Sequence, residues 1–195
     1  MGNASSKLIL VAIALVAAIV TASARLSSLV SLDVDLARSG EVWRLFSSHL
    51  AHITWSQYVT DASLFVILYE KYAKSYGLAA TLTLITVSTL SVSLAVIFFG
   101  SYQVYAGLSG INCAAFSAIV MTLMIARPYW FAPWLIATAF SIYLFSADKS
   151  LVSGINVASE AHLVGALTGG FFALIIRPSK RHANNDSGSN SLNLY

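Results

Sequence analysis

Apolar residues run through this chain in long blocks, not in the alternating or one-sided patterns of soluble strands and helices. A helix crosses the hydrocarbon core of a bilayer in about 20 residues. Six stretches suit that role: Leu8–Ala24, Leu45–Tyr69, Gly77–Gly100, Ser109–Ala126, Pro128–Ala147 and Val157–Ile176. The third, fourth and fifth carry no charge, and Pro133 predicts a kink near the start of the fifth. The second is interrupted by His49, His52, Gln57 and Asp61, and the sixth opens on Glu160 and His162. What remains is short connections, a longer loop over Arg25–Arg44 and a polar tail over Arg177–Tyr195. The pattern predicts an all-α membrane domain over residues 1–176 and a disordered cytoplasmic tail over 177–195.

The flanking charges set the orientation. With the N-terminus inside, the inner side holds seven basic residues: Lys7, Lys71, Lys74, Arg127, Arg177, Lys180 and Arg181. The outer side holds four, Arg25, Arg38, Arg44 and Lys149. The positive-inside rule therefore predicts N-in and C-in. The first stretch has a second reading. Lys7, the apolar run and Ala22-Ser23-Ala24 also match a secretory signal with its cleavage site. At 17 residues the run exceeds the usual signal length, which favours a retained span. A short myristoylation pattern at Met1-Gly2 and sequons at Asn3 and Asn185 are too loose to carry weight.

Composition narrows the classes. Of 195 residues, 57% are hydrophobic and 10% charged, and mean hydropathy is +0.76. A soluble domain has roughly 25% charged residues, and one with so few would expose large apolar patches. Soluble enzymes, nucleic-acid-binding modules and disordered chains are excluded. The net charge of +3 reflects topology, because Lys and Arg are scattered between apolar runs and form no basic face. The single cysteine, Cys113, excludes an internal disulfide and a cysteine-based zinc site. Three histidines fall near the outer face, but a zinc site needs three or four converging ligands, so neither metal nor cofactor is expected.

Polar groups at membrane depth are costly and mark function. With N-in, spans two, four and six all begin outside. His49, His52, Gln57 and Asp61 then share one outer layer with Ser109, Glu160 and His162. A serine and a histidine in one polar layer are the parts of a nucleophile and its general base. Ser109 stands in Gly107-Leu108-Ser109-Gly110, where glycines permit a tight turn and close approach to a substrate. It would open a helix whose free N–H groups can hold an oxyanion. Taken alone, this serine reads first as a helix-packing residue. His162 lies three residues before Gly165, on the Gly165/Gly169 close-packing face, and alone it reads equally as an interfacial histidine.

Together the motifs resemble the rhomboid intramembrane serine proteases. Gly40-Glu41-Val42-Trp43-Arg44-Leu45-Phe46 is similar to the family's Trp-Arg motif in the first outer loop. Gly107-Leu108-Ser109-Gly110 is similar to its nucleophile motif, and Ala161-His162 with Gly165 and Gly169 to the motif of its last core span. The resemblance covers roughly Glu41–Ile176 and implies a six-transmembrane-helix rhomboid-like bundle. The small chain without a soluble domain looks most like the rhombosortase branch. That implies a bacterial inner-membrane protease facing the periplasm. Its protein substrates would be exported proteins with a C-terminal sorting segment: a Gly-Gly motif, an apolar span and a basic cluster.

The resemblance also assigns roles. Ser109 is the nucleophile and His162 its general base. His49 and His52 fit the upstream histidines of span two. The two oxyanion positions, a histidine and an asparagine in the family, are occupied by Gln57 and Asp61. Gln57 can donate through its amide, whereas Asp61 can donate only as the neutral acid. The Ser109 N–H, Gln57, and His52 or Asp61 would hold the oxyanion, with Gly107 allowing close approach. Cys113 stands where many members have an aromatic supporting the histidine ring. Glu160, two residues from His162, points elsewhere on a helix, so no acidic third member is expected. Trp43 and Arg44 would anchor the first loop at the interface, and Tyr129, Trp130 and Trp134 would join the inner aromatic belt. Two other functions remain open: a catalytically inactive relative that binds transmembrane segments, and a small proton-linked transporter using His49, His52 and Asp61.

Overall fold

The computed structural model describes residues 2–100, 102–126 and 158–176. The expected fifth span, its Pro133, Tyr129, Trp130 and Trp134, and the tail lie outside the described residues. Within them the chain is helical, with one two-residue strand pair. Helix α1 spans Gly2–Thr21 and ends earlier than the apolar run. The chain breaks at Ala22-Ser23, where the Ser23 hydroxyl accepts from Leu26 N–H and caps a separate short helix, α2, Ala24–Val30.

The expected loop over Arg25–Arg44 is built. After α2 come strand β1 (Leu32–Asp33) and helix α3 (Val34–Arg38), which Asp33 caps by accepting from Asp35 N–H and Leu36 N–H. Helix α4 (Arg44–Ser47) follows. Arg44, 4% exposed, holds this region together. Its Nε donates to Glu41 Oε2 at 2.6 Å, and its Nη1 donates to the carbonyls of Ser28 and Ser31 at 3.0 and 2.6 Å. The planar guanidinium supplies these donors in a geometry lysine lacks. Trp43 beside it is exposed, in keeping with an interfacial place. Arg44→Ala should lower stability by about 2–3 kcal/mol, because the buried Ser31 carbonyl and the part-buried Ser28 carbonyl both lose a charged donor. Thermal unfolding in detergent checks this, and Arg44→Lys should recover only part of the loss.

The expected second span begins ten residues late. Residues 45–54 form the rest of α4, a 3₁₀ turn (Ser48–Leu50) and a short extended segment. Helix α5 starts at Trp55, where Thr54 Oγ1 accepts from Gln57 N–H at 3.1 Å. Polar contacts of His49 and His52 hold the intervening segment out of the helix. The expected loop between spans two and three is likewise absent. Helix α5 runs Trp55–Phe99 and reverses at one residue, Gly77, with φ 85° and ψ 169°. A positive φ of this kind suits glycine, which has no Cβ to clash. Tyr72 and Tyr76, expected in that loop, are helical and stack with centroids 4.4 Å apart.

Each arm of α5, 55–76 and 78–99, has 22 residues. That is about 33 Å at 1.5 Å per residue, matching a hydrocarbon core. The arms are antiparallel: Gln57 near the start of the first reaches Ala106 in the loop before the next helix, and Val92 near the end of the second meets Gly110 in the first turn of that helix. That loop contains strand β2 (Val104–Tyr105), which pairs antiparallel with β1, Leu32 opposite Tyr105. Helix α6 spans Ser109–Ala126, as expected, and α7 spans Ser159–Ile175.

Helices α1, α5 and α6 are long and apolar enough to cross a membrane, and α7 is a shorter apolar helix. The core is made of Phe65, Tyr69, Leu84, Ile111 and the small faces of α6 and α7, whereas Leu15, Ile19, Phe98, Phe171 and Ile175 face outward. Large apolar groups facing outward on long apolar helices define an integral membrane protein.

Candidate active site

Glycines decide how closely α6 and α7 approach. A Cβ on Gly165 would collide with the carbonyl oxygen of Gly110, and one on Gly169 with that of Ala114. With hydrogen at both positions the helix backbones touch, as small residues allow in membranes. This contact brings the first turns of the two helices together. Ser109 is the first residue of α6 and His162 lies in the first turn of α7. His162 Nε2 stands 2.8 Å from Ser109 Oγ, and His162 is 6% exposed. If the serine hydroxyl donates in this contact, Nε2 is the bare nitrogen and Nδ1 carries the ring proton.

The segment entering α6 is fixed from several sides. Gly107 has φ 132°, which strains any L side chain, and a Cβ there would lie 2.7 Å from Gln57 Nε2. Its N–H donates to Ser48 O at 3.3 Å, and its carbonyl accepts from Tyr105 O–H at 3.2 Å. His49 Nδ1 lies 3.1 Å from the same carbonyl. The other His49 nitrogen is 3.3 Å from Thr89 O and 3.2 Å from Ser93 Oγ. His49 thus ties the turn before α5, the second arm of α5 and the serine loop into one unit.

The remaining candidates gather around that loop. Gln57 Oε1 accepts from Ile53 N–H at 2.9 Å, and its Nε2 donates to Ala106 O at 3.2 Å. The amide carries a second N–H, so one donor is left for another partner. Asp61, 6% exposed, lies one turn further along α5, with its carboxyl against the backbone amides of Leu108 and Ser109. Its Oδ2 is 3.6 Å from His52 Nε2. His52 Nδ1 is 3.4 Å from Thr21 Oγ1 at the end of α1, and the ring meets Tyr58 edge-on. Asn112 Nδ2 donates to Asp61 O at 2.9 Å and fixes that part of α5 to α6.

Ser109, His162, Gln57, Asp61, His52 and Gly107 therefore occur together at one end of the bundle. Glu160 lies beside Gly100, with its other oxygen 3.4 Å from Ser159 Oγ. The sequence offers His49 as an upstream histidine of a membrane helix or as part of a proton path. It stands instead in the 3₁₀ turn, as a structural tie. Asn112, Tyr105 and Thr21 were missed. Asn112 did carry a signal, as a carboxamide inside an apolar run, whereas the other two act only through tertiary contacts.

A membrane-embedded helical bundle with a serine and a histidine in contact at one end defines a narrow class. The Rhomboid domain family model matches residues 39–179, most of the chain, and the protein belongs to the rhomboid family. Rhomboid proteins are generally intramembrane serine proteases that act on transmembrane protein substrates. No curated protein matches the chain.

Proposed function

We propose that this protein is an intramembrane serine endopeptidase that uses a Ser109–His162 dyad. The observation that carries the reading is the 2.8 Å contact between Ser109 Oγ and His162 Nε2 at the start of two tightly packed helices. His162 takes the hydroxyl proton as Ser109 Oγ attacks a peptide carbonyl. The C–N bond breaks as His162 protonates the leaving amine, leaving an acyl group on Ser109. His162 then activates the water that hydrolyses this ester. The Ser109 N–H and the second N–H of Gln57 receive the oxyanion, and removing one such donor costs about 100- to 1000-fold in rate in a soluble serine protease.

In this proposal the bundle has six spans, N-in and C-in, in a bacterial inner membrane, with the dyad opening to the periplasm. A transmembrane segment enters laterally and unwinds near the cut, which small residues such as glycine ease. The substrates are exported proteins with a Gly-Gly-type C-terminal sorting tail, as in the rhombosortase branch. A second reading, a catalytically inactive binder of transmembrane segments, is favoured by one observation: a carboxyl group, Asp61, lies against the Ser109 amide. The transporter reading is weaker, because both nitrogens of His49 face backbone carbonyls within the fold.

Co-expression with a Gly-Gly-tailed exported substrate separates these readings. The wild type should release a shortened substrate, and Ser109→Ala should leave it intact. Intact substrate co-purifying with the wild type would favour the inactive binder. Cleavage surviving both Ser109→Ala and His162→Ala would sink the dyad.

A further inference from the structure

An acidic side chain beside an oxyanion site presents an electrostatic conflict. When Ser109 attacks, a negative charge develops next to its backbone amide, and the Asp61 carboxyl lies against that amide. An ionised, unpaired Asp61 would oppose the charge the site must stabilise. At about 4 Å such a repulsion slows a reaction by orders of magnitude even at an effective dielectric constant near 20. The chain must neutralise this group for the dyad to work.

The structure places one basic group against it. His52 Nε2 faces Asp61 Oδ2 at 3.6 Å, with His52 3% and Asp61 6% exposed. Neither atom has a hydrogen-bond partner among the described residues, although both are buried. The other face of the ring is fixed by Thr21 Oγ1 at Nδ1 and by the edge of Tyr58. The other groups around the pair leave His52 this role. On α5, Gln57 is neutral. In the turn, His49 is held by Gly107 O, Thr89 O and Ser93. On the serine loop and α6, Tyr105 and Cys113 are the titratable groups in electrostatic reach of Asp61. On α7, His162 is engaged with Ser109. Among the described residues, the ion pairs of Lys7, Lys74 and Arg44 go to Glu70 and Glu41.

We propose that His52 and Asp61 act as one proton-sharing couple whose net neutrality lets the oxyanion form beside Ser109, with Thr21 holding the His52 ring. The inference rests on the serine-protease reading and deepens it. The shared proton can reside on His52 Nε2 or on Asp61 Oδ2, and the couple has zero net charge either way. Losing that proton leaves one negative charge at the site. His52 is a positioning and neutralising residue, and it need not touch the substrate. Thr21 gives the first helix a part in the site.

The test uses the full chain in detergent and a fluorophosphonate, which reports the nucleophile without a known substrate. Ser109 Oγ forms a bond to phosphorus, fluoride leaves, the hydroxyl proton passes to His162, and the phosphoryl oxygen takes the oxyanion position. His52→Gln should slow labelling by about 10- to 100-fold, because Asp61 is left as an unpaired buried charge. Adding Asp61→Asn to that variant should recover at least about tenfold, a rescue that a merely structural role of His52 would not give. A double variant no faster than His52→Gln overturns the proposal. A second measurement leaves His52 untouched, in case His52→Gln fails to fold. The labelling rate of Asp61→Asn relative to wild type should rise with pH, since wild type alone loses the shared proton. A ratio independent of pH also overturns the couple. Labelling that persists in Ser109→Ala marks failure of the underlying serine reading, and so stands apart from failure of the couple.

Discussion

Alanine at Ser109 should abolish cleavage of a Gly-Gly-tailed substrate, and alanine at His162 should slow it by about 1000-fold or more. The double variant should be no slower than the worse of the two. The reason lies in the contact itself. A serine hydroxyl is a weak nucleophile until a base takes its proton, and the base has no task without the hydroxyl. Groups that act as a unit lose their effect together, so the two losses should not add. The geometry favours such a unit, since Nε2 and Oγ are 2.8 Å apart. Stability should change little in Ser109→Ala, because Gly165 and Gly169 carry most of the α6–α7 contact, whereas His162→Ala removes a buried side chain that meets Ser109 across that contact and should unfold at a somewhat lower temperature. Cleavage rates over a substrate series, with thermal unfolding as the control for folding, check the expectation. Losses that multiply in the double variant would mean that Ser109 and His162 act independently.

The two halves of the candidate site were legible in the sequence to different degrees. Ser109 and His162 could be paired from residue pattern, because span counting predicts one common layer for both and the Gly165/Gly169 face permits close packing. Helix α6 was also legible to its ends, since an uncharged run between Ser109 and Ala126 has one sensible boundary at each side. The start of α5 was not. An apolar run beginning at Leu45 looks continuous with a membrane helix, and hydropathy does not register that His49 and His52 find partners in a turn. The apolar pattern begins a span at Gly77 after a loop, yet one glycine serves as the whole connection. Its positive φ is a backbone property that composition does not reveal. Thr21 was invisible for a further reason: its role comes from meeting His52, 31 residues away. Long-range contacts of this kind depend on how helices pack, and no local pattern encodes them.

The second large effect concerns residues that touch no substrate. Gly165→Ala and Gly169→Ala should each cut the labelling rate of Ser109 by about 100-fold and lower thermal stability. A methyl group at either position would meet a carbonyl of α6, of Gly110 or of Ala114. A carbonyl held in a helix cannot rotate aside as a side chain can, so the helices must separate. Overpacking of this kind costs about 1–3 kcal/mol. The cost to chemistry is larger, because a shift of about 1 Å in a catalytic group can lower rate about 100-fold. Gly165 sits one turn below His162, so the displacement is felt directly at Nε2. Gly170→Ala is the graded control: its Cβ would lie 3.1 Å from Ser117 Oγ, a side-chain atom that can turn away. It should lose only a few-fold in rate, against about 100-fold for the other two. Leu167, 63% exposed on the same helix, faces outward, and Leu167→Ala should leave the labelling rate unchanged. If Gly165→Ala and Gly169→Ala label at the rate of Leu167→Ala, the close approach of α6 and α7 is not what brings His162 to Ser109.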